Sequence, residues 1–219
     1  MESFVFGRSA LGMGIPAFRF GKGGPEVLIL GGVHGNEVEG TAAAYALLEK
    51  FNVKFDYKIK MTLVPAFNID GVIKQTRLNG NGVDLNRNLP TKDWNPKAFD
   101  PKYPPGPSPS SESENKSLVK FLNETNPKFI LTLHSWNPLI NVNGDCLPEA
   151  KVLSRITGYE IKEEIGYPTP GCLGTYAGLE RNWPTLTYEI ERGLVLDEVL
   201  AIHVPAILES LRVTEKERA

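Results

Sequence analysis

Short apolar runs that end in glycine or a polar residue recur along the chain and alternate with segments of helical composition. The clearest run is Val-Leu-Ile-Leu at residues 27–30, which two glycines terminate, and it predicts a strand that is buried on both faces. The alanine-rich segment that follows, residues 37–50, predicts a helix. Further strands are predicted at residues 4–7, 15–20, 59–65, 129–133 and 184–190, and a final helix, kinked or restarted at Pro205, at 198–211. Strands that alternate with helices indicate an α/β fold with a largely parallel sheet.

The irregular part of the chain is a proline-rich stretch at residues 89–111. It holds seven of the 17 prolines, and a loop of this length is typically either functional or disordered. Ser111 followed by Glu114 predicts a capping box at the start of the next helix. We therefore expect an ordered surface loop within one domain of residues 1–219, rather than a linker between two domains.

Composition narrows the range of possible partners. The chain has 219 residues and a net charge of -2, so it lacks the basic excess that a nucleic-acid partner requires. No apolar stretch approaches the ~20 residues that cross a membrane, and the first residues do not resemble a signal peptide. Two cysteines are too few for a disulfide framework. We expect a cytoplasmic protein without a nucleic-acid or membrane partner, and no pattern indicates its oligomeric state.

Four polar residues lie at the ends of predicted strands. His34 and Glu37 follow the strand at 27–30, and His134 and Glu189 end two other strands. Because the carboxyl ends of parallel strands share one edge of a sheet, we expect these four residues to lie close together. Two imidazoles and one carboxylate are a typical ligand set for catalytic zinc. A second glutamate beside such an ion can accept a proton from the attacking water.

Each histidine also has a plain structural interpretation. A histidine at the end of a strand is more often a hydrogen-bonded structural residue than a metal ligand, so the Zn²⁺ hypothesis depends on all the ligands together. The third histidine, His203, lies between two apolar residues of the predicted last helix. We interpret it as a residue at the edge of the core or on the surface.

The segment at residues 77–88 is dense in hydrogen-bonding side chains. It contains two successive Asn-Gly pairs, which predict tight turns with positive φ. The guanidinium of an arginine matches a carboxylate in shape, and a neighbouring asparagine can donate to the same group. The segment therefore predicts an anion-binding function, and the alternative is an exposed hairpin tip.

Together these motifs resemble the zinc carboxypeptidase family, which includes the pancreatic carboxypeptidases. The matching segments run in family order: 32–37 (GVHGNE), 68–71 (NIDG), 81–90 (NGVDLNRNLP), 133–135 (LHS), 167–174 (YPTPGCLG) and 187–190 (TYEI). Within this family, the chain resembles the small bacterial murein peptide amidases, which cut the γ-D-glutamyl–diaminopimelate bond of cell-wall peptides. The resemblance implies a mixed sheet of about eight strands flanked by helices, with the site at the carboxyl edge of the strands.

The same resemblance implies roles for the residues at that edge. One zinc ion per chain is expected to be bound by His34, Glu37 and His134, with Glu189 as the general base. A second group of residues is expected to act on the substrate and on the ligands. Arg77 would polarise the scissile carbonyl, Asn86 and Arg87 would bind the terminal carboxylate of the substrate, and Asp84 would hydrogen-bond to His34.

Three positions differ from the family pattern or stay open. The mobile tyrosine of the family corresponds to Tyr167 or Tyr176, and a packing role is the alternative for both. The base of the side-chain pocket falls near Leu173 and Gly174 and carries no acidic residue. Glu191, two residues after the expected base, is expected to point to the opposite face of the strand, and is interpreted either as a residue that supports the site through a neighbour or as a surface residue.

The function implied is a zinc-dependent exopeptidase or amidase that cuts the bond before a C-terminal residue. Its expected substrate is a small peptide with a free carboxylate, derived from murein. N-acyl-amino-acid hydrolases of the aspartoacylase and succinylglutamate desuccinylase type carry similar motifs and are the main alternative. A catalytically silent module that binds cell-wall peptides is a further alternative, which the presence of Glu189 disfavours.

Overall fold

The apolar runs of the sequence form one mixed sheet of eight strands in the computed structural model, which describes residues 1–98 and 100–218. The strands are β1 (Glu2–Arg8), β2 (Gly14–Phe20), β3 (Glu26–Gly31), β4 (Lys60–Val64), β5 (Phe129–Trp136), β6 (Leu139–Asn143), β7 (Glu160–Lys162) and β8 (Thr185–Glu191). Across the sheet they lie in the order β1-β2-β4-β3-β5-β8-β6-β7.

The four strands in the middle of the sheet, β4, β3, β5 and β8, pair in parallel. Antiparallel pairs join β1 to β2, β2 to β4 and β6 to β8, and β7 extends the sheet parallel to β6. The predicted α/β class and the mixed sheet of about eight strands are therefore confirmed. Because β3, β5 and β8 run in the same direction, their carboxyl ends meet at one edge, where ligands bind in open α/β sheets.

Helices cover both faces of the sheet. In the described part of the chain they are α1 (Val38–Val53), α2 (Ile69–Lys74), α3 (Ser113–Thr125), α4 (Leu147–Thr157), α5 (Leu196–Glu198) and α6 (Val204–Glu217). π-Helical turns at Gly174–Leu179 and Val199–His203 and a 3-10 turn at Leu85–Arg87 complete the helical segments described. Among the described residues, none of the helices combines the length and the apolar character needed to cross a membrane.

Strand β3 shows how the core is divided. Val27 and Ile29 pack in one apolar cluster with residues of α1, α4 and α6. Leu28 and Leu30 point to the opposite face, where they pack in a second cluster with α3. The four side chains are all fully buried, so the prediction of a strand buried on both faces is confirmed.

The predicted capping box is wrong. Helix α3 begins at Ser113, after Glu112, and no side chain caps its first turn. Ser111 donates instead to the carboxylate of Glu112, at 2.7 Å from Oγ to Oε1. The carboxylate of Glu114 accepts from the backbone N–H of Ala10, at 2.9 Å, and thereby joins α3 to the turn between β1 and β2. The carboxylate of Glu114, which the local sequence pattern predicted to cap the helix, is thus engaged in a tertiary hydrogen bond instead.

The last helix restarts just before Pro205. A kink and a restart were the two outcomes predicted for this proline, and the structure shows the restart. A π-helical turn ends at His203, and α6 runs from Val204 to Glu217, beyond the predicted end. The proline lies in the first turn of α6. Backbone N–H groups in the first turn have no partner within the helix, so the N–H that proline lacks removes no helical hydrogen bond.

Candidate active site

The sheet register brings the strand-end residues together. His134 in β5 and Glu189 in β8 are direct partners in neighbouring parallel strands. On the other side of β5, Gly31 of β3 pairs with Leu133, and the chain then turns through His34 and Glu37 before α1 begins. All four predicted residues therefore lie at one edge of the sheet.

A close approach of α1 to β5 completes this arrangement. Gly40 lies in the first turn of α1, and a Cβ atom built on it would lie 2.5 Å from the carbonyl oxygen of Leu133. Its N–H donates to the hydroxyl of Ser135, at 2.9 Å. Only glycine permits this contact without displacement of the backbone, and the contact holds Glu37 next to His134.

His34, Glu37 and His134 form a tight, buried cluster. The Nδ1 atoms of His34 and His134 lie 2.7 and 2.8 Å from the two oxygens of the Glu37 carboxylate. The same two nitrogens lie 3.2 Å from each other. Among the described residues, this is the group with the composition and spacing to hold a metal ion. Two imidazole nitrogens and a carboxylate that converge in this way fit a zinc ion with an open position for substrate or water.

The other nitrogen of His34 is held by Asp84. Nε2 of His34 lies 3.1 Å from the fully buried Asp84 carboxylate. If this nitrogen carries the proton, Nδ1 presents a lone pair to the cluster, which is the tautomer that a metal ligand requires. Arg77 donates from Nε to the second oxygen of Asp84, at 2.9 Å, and from Nη1 to Glu37, at 3.2 Å.

The charges of the site favour a cation at its centre. Burial alone would raise the pKa of Glu37, but the adjacent imidazoles hold it well below its ordinary value. Burial likewise opposes a charge on His34, yet the carboxylates of Glu37 and Asp84 raise the pKa of its imidazole. Both carboxylates therefore stay ionised around the imidazoles, and the donor set fits a divalent cation by charge as well as by distance.

Glu189 is ionisable but poorly solvated. Its side chain is only slightly exposed, and within the described residues its buried Oε2 atom has no hydrogen-bond partner. Burial raises its pKa to about 7, against the opposing effect of His134. A carboxyl group with this pKa exchanges protons readily near neutral pH, as a general base must.

The 77–88 segment is not a hairpin tip, because the described residues on either side of it do not form strands. Of the two predicted positive φ angles, only that of Gly82 is found, at 75°. The turn is built instead by Asn79, whose side-chain oxygen accepts from the backbone N–H groups of Asn81 and Val83. This turn directs Arg77 and Asp84 to the cluster.

Asn86 and Arg87 line a cleft of about 920 Å³ that also contains His34, Glu37 and Glu189. The N–H of Leu173 donates to the side-chain oxygen of Asn86, at 2.9 Å, so the amide orientation is held. Gly171 packs against the backbone carbonyl of Arg87 so closely that a Cβ atom there would lie 2.2 Å from the oxygen. The structure thus brings the predicted anion-binding pair into the same cleft as the cluster.

Three aromatic residues complete one wall of the cleft, and of these only Tyr167 lies in a motif identified from the sequence. The Tyr103 ring lies under the guanidinium groups of Arg77 and Arg87, at 4.7 and 5.1 Å from its centroid. It stacks on Tyr167 at 6.3 Å, and Tyr167 contacts Trp136 edge to face at 5.6 Å. Tyr103 belongs to the proline-rich stretch at residues 89–111. The length of that loop indicated a functional segment, but no pattern in it pointed to Tyr103.

The two candidate tyrosines lie in different surroundings. Tyr167 lines the cleft, whereas Tyr176 is buried in the core beneath the guanidinium of Arg181. Glu191 is exposed at the end of β8, as predicted. Near the expected base of the side-chain pocket, Gly174 lines the cleft together with uncharged polar residues: Asn141, Asn143, Thr175 and Thr187.

His203 is more deeply buried than predicted. It is 2% exposed, and its Nδ1 atom lies 2.5 Å from the hydroxyl of Tyr188. Tyr188 alternates with Glu189 along β8, so this pair lies on the face of the sheet away from the cluster. The prediction of an edge or surface position is wrong, because the hydroxyl of Tyr188 satisfies the imidazole within the core.

Comparisons with known proteins agree on one family. The sequence profile described as zinc carboxypeptidase matches residues 1–189. A murein peptide amidase A from Vibrio campbellii is 28% identical over 197 residues, which cover 84% of this chain and 77% of that protein.

Solved structures are similar in fold. The murein-tripeptide amidase MpaA from Escherichia coli O157 superposes with a TM-score of 0.77 at 24% identity, over 97% of this chain and 92% of that one. A succinylglutamate desuccinylase from a Silicibacter species gives a TM-score of 0.68 at 18% identity, over 94% of this chain and 61% of that one.

Proposed function

Because the chain belongs to the zinc carboxypeptidase family and is a hydrolase of the metallocarboxypeptidase type, we propose that it is a zinc-dependent exopeptidase or amidase of murein-derived peptides. The bond cut would be the one before the C-terminal residue, as in γ-D-glutamyl–diaminopimelate. The observation that carries this proposal is the convergence of His34, Glu37 and His134 beside the buried carboxyl of Glu189. The names of the relatives support the murein peptide as substrate. We further propose that residues 1–219 form one catalytic domain around the single sheet.

One zinc ion per chain is proposed to be held by His34, Glu37 and His134. When bound there, zinc supplies a Lewis acid for the scissile carbonyl and the attacking water. Asp84 keeps the imidazole of His34 in the ligating tautomer through its contact with Nε2.

The chain's own residues carry the proton and the charge. The carboxylate of Glu189 takes a proton from the water that attacks the carbonyl and then passes it to the nitrogen of the leaving amine. Arg77, which Asp84 and Glu37 hold in place, donates hydrogen bonds to the carbonyl oxygen as negative charge develops on it. Loss of one such donor typically costs ~10²–10³ in rate.

Carboxylate recognition explains why cleavage would occur at the end of a peptide. Asn86 and Arg87 bind the terminal carboxylate, and this contact sets the distance from that end to the reacting carbonyl. Around Gly174 the cleft is lined by asparagine and threonine side chains, and the acidic residues Glu163 and Glu164 also belong to its lining. Amides, hydroxyls and carboxylates of this kind suit a polar side chain that carries an ammonium group, as that of diaminopimelate does, better than a large aromatic residue.

A substrate panel tests this function directly. Purified protein is assayed with L-Ala-γ-D-Glu-diaminopimelate, with ordinary peptides that end in L-residues, and with N-acetylaspartate and succinylglutamate, while bound zinc is measured in parallel. Release of diaminopimelate from the first substrate is the expected result. Preferential hydrolysis of the acylated amino acids would contradict the peptidase proposal.

The second candidate function is hydrolysis of a small N-acyl amino acid. The structural similarity to a succinylglutamate desuccinylase and the shared His-Gly-Asn-Glu motif at residues 34–37 favour it. The Tyr-Pro-Thr-Pro-Gly segment at residues 167–171 favours the peptidase.

We expect replacement of Arg87 by lysine to lower kcat/KM about 10–150-fold on a peptide with a free terminal carboxylate. Lysine keeps the charge but loses the planar fork that binds both carboxylate oxygens. The measurement compares free and amidated peptides in wild type and variant. Amidation should be costly for the wild type and cost much less for Arg87→Lys, because the partner is already weakened. Equal cleavage of both peptides by the wild type would refute carboxylate recognition by Arg87.

We expect removal of the Tyr103 ring to weaken substrate binding. The ring lies within 5.1 Å of both arginine guanidinium groups, and a cation–π contact contributes roughly 0.5–2 kcal/mol. Tyr103→Leu should therefore lower kcat/KM about 10-fold, whereas Tyr103→Phe, which keeps the ring, should stay near the wild-type value. An equal loss in both variants would point to the hydroxyl instead of the ring.

A further inference from the structure

The cleft contains a second asparagine–arginine pair besides Asn86 and Arg87. Arg192 follows the end of β8, and its Nη2 atom donates to the backbone carbonyl of Asn36, at 2.6 Å. The backbone N–H of Arg192 donates to the backbone carbonyl of Trp136, at 3.0 Å, at the end of β5. Asn36 and Arg192 both line the cleft, although the sequence analysis assigned no role to either.

Both members of this second pair have hydrogen-bonding capacity to spare. Arg77 is paired with two carboxylates, whereas Arg192 makes no ion pair with a carboxylate within the described residues. The side-chain oxygen of Asn36 is buried, and in the described part of the chain it has no hydrogen-bond partner. The NH₂ group of Asn36 is not buried and makes no hydrogen bond within the described residues, so its two donors are unused. A guanidinium and an amide with unused donors are the groups that bind a carboxylate.

The two pairs have different neighbours in the cleft lining. Asn36 lies between His34 and Glu37, and Arg192 is near enough to Glu189 to act on its charge. Arg87 lies over Tyr103, with its backbone against Gly171. Both arginines line the cleft that contains the cluster, so a substrate with its reacting carbonyl at the cluster can meet each of them. Since Arg87 is assigned to the leaving amino acid, Arg192 is left for the acyl group.

We propose that Asn36 and Arg192 bind a second substrate carboxylate, one carried by the acyl group. This inference rests on the proposed function and narrows its substrate class. In a γ-linked glutamyl group, three carbon atoms separate the free α-carboxylate from the scissile carbonyl. An ordinary α-linked peptide has an uncharged peptide group on that side. A succinyl group also ends in a carboxylate close to its scissile carbonyl, so the shared chemistry is a carboxylate-bearing acyl group. The pair thus selects acyl groups with an acid function over neutral acyl chains.

The test compares two peptides that differ only in this carboxylate. One is L-Ala-γ-D-Glu-diaminopimelate, and the other carries D-isoglutamine, in which the α-carboxylate is an amide. Each is assayed with wild type, Arg192→Gln and the matched control Arg155→Gln, whose arginine is exposed on α4 outside the cleft. Succinylglutamate is included to separate the two sources of the acyl carboxylate.

For the wild type and Arg155→Gln, we expect amidation to lower kcat/KM about 10-fold or more. Arg192→Gln should lose about as much on the acid peptide and show little further loss on the amide. If glutamate were released from succinylglutamate faster than diaminopimelate is released from the peptide, the site for a second carboxylate would stand. The carboxylate it binds would then be that of a succinyl group.

Two results would overturn the proposal in distinguishable ways. Equal cleavage of the acid and amide peptides by the wild type would refute a second carboxylate site and leave the proposed function intact. An equal loss on both peptides in Arg192→Gln would assign Arg192 the structural role of holding the loop at Asn36. A wild type that hydrolyses none of these substrates would refute the proposed function together with the inference.

Discussion

Glu189→Gln is expected to lose nearly all hydrolysis while its zinc content stays unchanged. Glutamine has almost the same shape as glutamate but cannot accept a proton from the attacking water. A positioned general base contributes about 10²–10⁴ in rate. The carboxyl is buried, with one oxygen that has no partner in the described part of the chain, so the substitution breaks no structural hydrogen bond of that oxygen. Initial rates and metal content of the purified variant are the measurements.

A neighbouring acid provides the matched control. Glu191 ends the same strand and is exposed, so Glu191→Gln should keep most of the wild-type activity. If Glu189→Gln retained most of its kcat, the base would have to be another residue. If both variants lost activity to the same extent, a general effect on β8 would explain the losses better than proton transfer.

His134→Ala is expected to reduce the zinc content from about one ion per chain to near zero and to abolish turnover. The imidazole supplies one of three convergent donor atoms, at 2.8 Å from Glu37 and 3.2 Å from His34. With two protein ligands left, the site is no longer the three-ligand set of catalytic zinc. Metal analysis of the purified proteins is the primary measurement. A chelator should abolish wild-type activity, and added zinc should restore it.

His203→Ala is the control for the loss of a buried histidine. Its partner is the hydroxyl of Tyr188 on the other face of β8, so this variant should keep its zinc and instead unfold at a lower temperature. Equal zinc content in His134→Ala and wild type would remove His134 from the ligand set. Loss of zinc in His203→Ala would show that the site depends on the packing behind β8.

Several features of the fold could be predicted because they depend on neighbours in the sequence. The apolar run of β3 must be buried on both faces, and the alanine-rich segment after it favours a helix. Polar residues follow or end the apolar runs of β3, β5 and β8. In the predicted parallel sheet, the carboxyl ends of these strands lie at one edge. For His34, Glu37, His134 and Glu189, the sequence spacing was sufficient to predict that they lie together.

Short elements could not be predicted in this way. Strand β7 has only three residues and α2 only six, which is too short for a periodic pattern to be recognised. The capping box failed for a related reason. Its motif is local, and the carboxylate of Glu114 is taken by a backbone N–H that lies 104 residues away in the sequence.

The sequence by itself determined the chemistry available at the carboxyl edge of the sheet: two histidines, two glutamates and a segment rich in asparagine and arginine. Only the tertiary structure decided what surrounds them. Tyr103 reaches Arg77 and Arg87 through a loop without regular structure, and Arg192 reaches Asn36 across 156 residues. The physical reason is that strand ends follow from periodic burial along the chain, whereas these contacts depend on how separate loops pack against each other. No local pattern encodes that packing.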